Sequence, residues 1–143
     1  MSIVKQKGSS TVEFAMMLPL LLLLVVMISE FGIMFYRLNA MTKSVQSATR
    51  YLSDISVNPN IALTNAQVKN LVCFGNIGGT GVAIIPECNN KLVLIPPVAA
   101  SGHITVTANY SADWVLPGAV VAFLKLSDAP LTLTASSVMR FAQ

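Results

Sequence analysis

Residues 8–36 read GSSTVEFAMMLPLLLLLVVMISEFGIMFY, and this stretch decides the fold class. No charged residue occurs from Phe14 to Ile28, and after one serine and one glutamate the apolar run resumes at Phe31. As an α-helix rising about 1.5 Å per residue, positions 14–36 would extend roughly 35 Å, enough to cross a hydrocarbon core of about 30 Å with some tilt. The sequence therefore predicts a membrane-spanning helix near the N-terminus.

The composition extends this apolar character along the chain. Hydrophobic residues make up 54% of the 143 residues and charged residues only 10%, against roughly 25% charged in an ordinary soluble domain. The later apolar stretches 92–95 and 115–124 are too short to span a membrane, and proline and glycine residues interrupt them. One transmembrane helix is therefore expected, with about 105 further residues that form at most one domain.

The net charge of +3 is a property of the first residues. Lys5 and Lys7 supply +2 of it, and from Ser9 onward seven Lys and Arg residues face six Asp and Glu residues. No basic patch suited to nucleic acid remains. The basic head favours a cytoplasmic N-terminus, although Arg37 and Lys43 beyond the helix weaken that asymmetry.

Two cysteines, Cys73 and Cys88, flank a loop rich in glycine, asparagine and proline. They are either two unrelated buried thiols or a disulfide formed in an oxidising compartment. A bridge closing a loop of this size would contribute about 3 kcal/mol in the chain-entropy description, and it would place the C-terminal part outside the cytoplasm. We do not expect the whole apolar segment to be removed as an ordinary signal peptide, because no small-x-small cleavage site follows it.

The helical periodicity continues past the predicted membrane surface. Apolar residues recur at alternating spacings of three and four, namely Phe31, Met34, Leu38, Met41, Val45, Ala48 and Leu52. This pattern predicts one helix that starts at Ser9 or Ser10 and ends near Leu52–Asp54, with an amphipathic outer half. We expect the rest of the chain to pack on that half.

The remaining sequence indicates one short helix and several strands. Thr64 and Gln67 form a capping box that predicts a helix over 64–73. Val82–Ile85 and Leu92–Ile95 are apolar runs that predict short strands.

A longer strand is predicted over His103–Tyr110, where apolar and polar residues alternate. Leu131–Met139 is its expected antiparallel partner, and residues 114–126 between them form either a helical turn or a long loop. The predicted fold class is α+β: a long N-terminal membrane-spanning helix extended as an amphipathic spine and packed by a small antiparallel sheet.

Little in this sequence indicates catalysis or ligand binding. His103 is the single histidine, and no Cys, His or acid lies near it at metal-ligand spacing. The Gly75–Gly81 loop (GNIGGTG) lacks the lysine and the following helix of a phosphate-binding loop. Asp54, Asp113 and Asp128 are dispersed, and no spacing brings Ser, His and Asp together. We therefore expect no enzyme, no metal site and no cofactor.

Glu13 stands out, because a carboxylate carried to the centre of a bilayer costs about 2.5–3.5 kcal/mol. One interpretation is structural: Ser10 and Glu13 fit a capping box, and an acid in the first helical turn is stabilised by the helix dipole. The other is functional, with the carboxylate pairing with a cation in a medium of low dielectric constant. Pro19 is expected to kink the helix, because its ring clashes with the preceding turn.

A short basic leader ends at Gly8 and is followed by Glu13 and Phe14, and the apolar helix after them contains a proline. This combination resembles the type IV prepilin motif. In that family a peptidase cuts after the glycine, and the new amino terminus pairs with the glutamate at the fifth position of a neighbouring subunit. Counted from Ser9 as the new first residue, Glu13 is fifth and Phe14 sixth.

Further stretches look like the TadE-like family, the small minor pseudopilins of the tight-adherence (Tad or Flp) pilus systems of bacteria. They are TVEFAMMLPLLLLL at 11–24, EFG at 30–32, SATRY at 47–51 and ASSVMR at 135–140. The N-terminal motif carries most of the resemblance, and the rest of the chain is similar only loosely.

The resemblance implies three parts: a leader at 1–8 that is removed, a transmembrane and assembly helix at 9–36, and a pilin-like extracytoplasmic domain at 37–143. The cut would fall between Gly8 and Ser9.

The resemblance also implies a structural role in priming or capping an adhesive pilus, with Glu13 and Phe14 at the contact with a neighbouring subunit. The protein would be a single-pass protein of the bacterial inner membrane. Its implied partners are other pilins and pseudopilins of the same system, the prepilin peptidase and the inner-membrane assembly platform.

Two other interpretations stay open. One is a conventional pseudopilin of type IV pili or type II secretion, and the other is a signal-anchored periplasmic binding domain. The latter predicts an uncut N-terminus.

Overall fold

The computed structural model describes residues 9–55, 63–100, 102–115, 118, 122 and 130–140. Within them three helices and three strands follow one another: α1 (Ser9–Ile55), α2 (Asn65–Phe74), α3 (Cys88–Lys91), β1 (Leu92–Ala100), β2 (His103–Ala112) and β3 (Leu131–Arg140). A long N-terminal apolar helix packs on a small antiparallel sheet, which confirms the predicted α+β class.

Helix α1 is one continuous helix of 47 residues that passes through Pro19. Within the described residues it runs from Ser9 to Ile55, which includes the whole of the predicted helix. The kink at Pro19 stays a prediction.

The predicted apolar stripe on α1 is confirmed over most of its length. Met34, Met41, Val45, Ala48 and Leu52 are buried, and Leu38 is half-buried. The prediction is wrong for Phe31, which is 59% exposed. This residue lies one helical turn before Met34, the first residue of the stripe that is buried.

Helix α2 forms as the capping box predicts. The Thr64 hydroxyl accepts a hydrogen bond from the Gln67 backbone N–H, and the Gln67 side chain accepts one from the Thr64 backbone N–H. The helix ends at Gly75, whose φ of 73° is the left-handed conformation that glycine adopts without a steric penalty.

The sheet has the order β1-β2-β3, and both pairs are antiparallel. The predicted pairing of the two longer strands is confirmed: His103 lies opposite Arg140, and Ala112 lies opposite Leu131. Strand β1 is longer than predicted, because it continues through two prolines, with a shift of register between Ile95 and Val98.

The predicted strand at Val82–Ile85 is wrong. This segment has no strand pairing, and its backbone is held instead by a hydrogen bond from the Ile84 N–H to the Cys73 carbonyl at 2.8 Å. Its apolar character is explained by Ile85, which is fully buried in the core. A short apolar run does not distinguish a buried loop from a strand.

The core lies between the sheet and the outer half of α1. Strand β2 alternates as predicted, with buried Ile104, Val106, Ala108, Tyr110 and Ala112 facing the helices. The Tyr110 hydroxyl donates to the Pro86 carbonyl at 3.0 Å, which satisfies the one polar group of this large buried side chain. Of the segment 114–126, predicted as a helical turn or long loop, most residues lie outside the described ranges, although Gly118 and Ala122 have helical backbone.

Candidate assembly site

The first half of α1 forms an exposed apolar band. From Ser10 to Ser29 every side chain is exposed except those of Leu23 and Met27, which are half-buried. The most apolar window of α1 has a mean hydropathy of 2.5 and no residue buried inside the structure. These 20 residues would extend about 30 Å, the thickness of a bilayer hydrocarbon core. This helix is long and apolar enough to serve as a membrane anchor.

The predicted cleavage and pairing residues lie at the start of this band. Gly8 lies outside the described residues, and Ser9 is the first residue of α1. Glu13 follows one helical turn later, and its side chain is exposed, as is that of Phe14. Residues four apart share a helix face, so the carboxylate and the new amino terminus of a cut chain would lie on the same side of α1.

Glu30 marks the point where the exposed band meets the part of the protein that we call the head domain (30–55, 63–100, 102–115 and 130–140). Its side chain is only 6% exposed, and its Oε1 atom accepts a hydrogen bond from the Val115 backbone N–H at 2.6 Å. This contact ties the segment after β2 to α1. Sequence reasoning missed it, although an isolated acid inside an apolar run was a signal that could have found it.

Trp114 lies beside this contact and has a polar atom without a partner. Its indole Nε1 is buried and donates no hydrogen bond to any residue that the structure describes. The residue is half-buried and packs on the hydrophobic core. The junction therefore contains one satisfied buried carboxylate and one unsatisfied indole N–H.

Two buried hydroxyls of α1 are hydrogen-bonded, and one of them joins α1 to α2. Ser44 donates to the Val72 carbonyl and so joins α1 to α2. Thr49 donates to the Val45 carbonyl at 2.7 Å within α1. Because both hydroxyls are hydrogen-bonded, the free-energy cost of removing them from water is offset on the packed face.

Cys73 and Cys88 form a disulfide. The bond joins α2 to the first residue of α3, both half-cystines are buried, and the alternative of two free thiols is therefore wrong. The loop it encloses is ordered by its own side chains, because Asn76 donates to the Thr80 carbonyl at 2.7 Å and accepts from the Thr80 N–H at 3.1 Å. This loop is a structural turn.

Lys91 joins α3 to the end of β2. Its ammonium lies 2.6 Å from an Asp113 carboxylate oxygen and 2.9 Å from a Glu87 carboxylate oxygen. The hydrogen bonds to Asp113 and then Glu87 raise the pKa of Lys91 above its ordinary value. The cluster is solvent-exposed, so it orients α3 more than it stabilises the fold.

Among the described residues, no three His, Cys, Asp or Glu side chains come together as metal ligands. His103 lies exposed at the first position of β2. The feature that distinguishes this molecule is thus the long exposed apolar helix and the junction at its outer end.

Comparison with known proteins finds a match in this same region. A family model described as TadE-like protein matches residues 8–50. No curated protein and no solved structure matches the chain. From the glycine of the predicted cleavage site to the outer part of α1, this chain is TadE-like in sequence, which confirms the resemblance.

Proposed function

We propose that this protein is a Tad pilus-associated subunit, a minor pseudopilin that helps to prime or cap pilus assembly. One observation carries the proposal: the TadE-like region, residues 8–50, coincides with α1, the helix whose first half is apolar and exposed. A helix of this kind is suited to lie in a membrane and then among other helices of the same kind.

The division of α1 supports an assembly role. Beyond Glu30 the head domain covers one face of the helix, from Met34 to Leu52, whereas the band before Glu30 has almost all of its side chains exposed and free to contact lipid or other molecules. Inside a bilayer, helices associate by close packing and by polar pairs, because lipid tails are as apolar as leucine side chains. The ionisable group that the band offers near its start is the Glu13 carboxyl group.

Cleavage between Gly8 and Ser9 would supply the matching charge. The cut leaves an ammonium group on Ser9, and a neighbouring carboxylate in a medium of low dielectric constant pairs with it strongly. Glu13 lies four residues along the helix, or about 6 Å. A neighbouring subunit displaced outward by that distance would bring its Ser9 level with this Glu13, so the pairing sets an axial stagger between subunits.

In this proposal the protein is a single-pass protein of the bacterial inner membrane, with its head domain outside the cytoplasm. The Cys73–Cys88 disulfide supports that location, because such bonds form and persist in oxidising compartments. Its partners are other pilins and pseudopilins of the system, the prepilin peptidase and the assembly platform.

N-terminal sequencing of the mature protein tests the cut. We expect the wild-type protein to begin at Ser9, and we expect Gly8→Ala to leave an unprocessed band on an immunoblot. If the mature protein still begins at Met1, the protein is a signal-anchored periplasmic domain and the proposal fails. If Gly8→Ala is still cut at Ser9, the assigned cleavage site is wrong.

Substitution of Glu13 tests the pairing separately. Glu13→Ala should be cut normally but should lose co-purification with partner pilins from detergent-solubilised membranes. Glu13→Gln is the matched control for shape, and we expect it to behave like the alanine variant because it lacks the charge. Unimpaired partner binding in both variants would leave Glu13 with a capping role only.

A further inference from the structure

The three-stranded sheet leaves two edges, and they differ in their ability to accept another strand. The β1 edge carries Pro96 and Pro97, which have no N–H to donate, and its register is irregular there. The β3 edge runs for ten residues without a proline, and its only charged residue is Arg140 at the end. No described strand pairs with its outer side. A regular, uncharged edge of this kind is a template for pairing with another chain.

A basic recess lies beside the β3 edge. It has a volume of about 380 Å³ and is lined by Met139 and by Lys43, Gln46, Ser47 and Arg50 of α1. The ion pairs among the described residues involve only Lys91, so Lys43 and Arg50 are not neutralised by any of these residues. A segment added to β3 near Met139 would therefore pass two cations.

From this juxtaposition we propose that the outer edge of β3 is a docking site for an extended, acidic segment of a different protein anchored in the same membrane. The main chain of that segment would extend the sheet, and an Asp or Glu side chain near one end would enter the recess of Lys43 and Arg50. Main-chain hydrogen bonds provide affinity in such strand addition, and side-chain pockets provide specificity. This inference deepens the proposed function, because it names the surface that a partner component contacts. It rests on the proposed function for the assumption that both proteins are anchored in the same membrane.

No strand that the structure describes in a second copy of this chain fits the site. Strands β1, β2 and β3 contain no Asp or Glu at all, so no strand of a copy brings the acid that the recess requires. The prolines of β1 further disfavour pairing of β3 with the β1 edge of a copy.

Direct pairing of β3 with β3 of a copy is excluded by geometry. An antiparallel pair needs a twofold axis perpendicular to the sheet, and α1 lies against the sheet face. Such an axis reverses the direction of α1, so both anchors could not enter one membrane from the same side. In a parallel pair related by a twofold axis, each residue of one β3 lies opposite the same residue of the other, so the same backbone groups face each other. A parallel ladder instead needs hydrogen-bonding residues that are offset by one position between the two strands.

A site-specific photocrosslinker in the full-length protein, expressed in its native cells, tests the site. Thr134 on β3 and Val93 on β1 form a matched pair, because both lie opposite Asn109 on the same exposed face, at opposite edges of the sheet. We expect the probe at 134 to give at least about tenfold more adduct than the probe at 93. The cross-linked peptide, identified by mass spectrometry, should contain Asp or Glu and come from another membrane-anchored protein.

Charge reversal tests the role of the recess. Arg50→Glu should lower the adduct at 134 by about tenfold or more, because like charges then face each other, and changing the partner's acid to Lys should restore it. Lys69→Glu on α2 makes the same charge change away from the recess and should leave the adduct unchanged. Any one of four results would overturn the proposal. They are equal amounts of adduct at 134 and 93, no adduct at 134, a second copy of this chain as the cross-linked partner, and an adduct at 134 that Arg50→Glu does not change. If these variants are still cleaved normally before Ser9, a negative crosslinking result counts against the β3 docking site and not against the proposed function.

Discussion

The contact between Glu30 and Val115 gives a prediction whose magnitude follows from the structure. Glu30→Ala removes the acceptor of a part-buried 2.6 Å hydrogen bond and takes away the partner of the Val115 N–H. Hydrogen bonds to charged groups contribute about 1.5–3 kcal/mol. At about 1.4 kcal/mol per factor of ten, amide exchange at Val115 should become roughly ten- to one-hundredfold faster.

Hydrogen–deuterium exchange of the full-length protein in detergent micelles measures this effect. Glu30→Gln keeps an oxygen acceptor without the charge, so its acceleration should be smaller, about tenfold or less. Ser29→Ala is the matched control, because Ser29 is the neighbouring residue on α1, is exposed, and bonds only within the helix to Val25. Unchanged exchange at Val115 in Glu30→Ala, or an equal acceleration in Ser29→Ala, would refute the view that Glu30 holds this segment on α1.

Three further predictions concern the head domain. Met41→Ala empties a fully buried position and should lower the free energy of unfolding in urea by about 2–5 kcal/mol, whereas Met16→Ala in the exposed band should leave the urea midpoint of the head unchanged. The double variant Cys73→Ser with Cys88→Ser should lose about 3 kcal/mol in the same measurement, and an unchanged midpoint would contradict a stabilising bond. Because the pKa of Lys91 is raised in the folded protein, its contribution to stability is complete below its unfolded value of 10.5, begins to fall above that pH and is lost as the pH rises through the higher folded value. The destabilisation by Lys91→Met should thus be smaller at pH 11 than at pH 8, and equal losses would contradict this linkage.

The long helix was predictable from the sequence because its signals are local. Apolar residues that repeat every three or four positions indicate a helix with one apolar face, whatever the tertiary structure around it. The buried stripe from Met34 to Leu52 follows that rule. The capping box of Thr64 and Gln67 is also local and formed as predicted. The alternation in β2 identified its buried face for the same reason.

The failures arise where the outcome depends on distant residues. Val82–Ile85 reads as a strand, but it pairs with no strand that the structure describes, and Ile85 fills the core instead. Phe31 continues the apolar period, and only the extent of the head domain decides that it is exposed.

The sequence by itself determined that this chain has a membrane-type helix, an amphipathic continuation and an antiparallel strand pair, because each depends on the spacing of neighbouring residues. It also placed Gly8, Ser9 and Glu13 together as a motif. Only the tertiary structure decided that Glu30 binds the Val115 N–H and that Lys43 and Arg50 lie beside Met139 of β3. These contacts join residues far apart in the chain, and no local periodicity encodes which distant groups the packing of helix on sheet brings together.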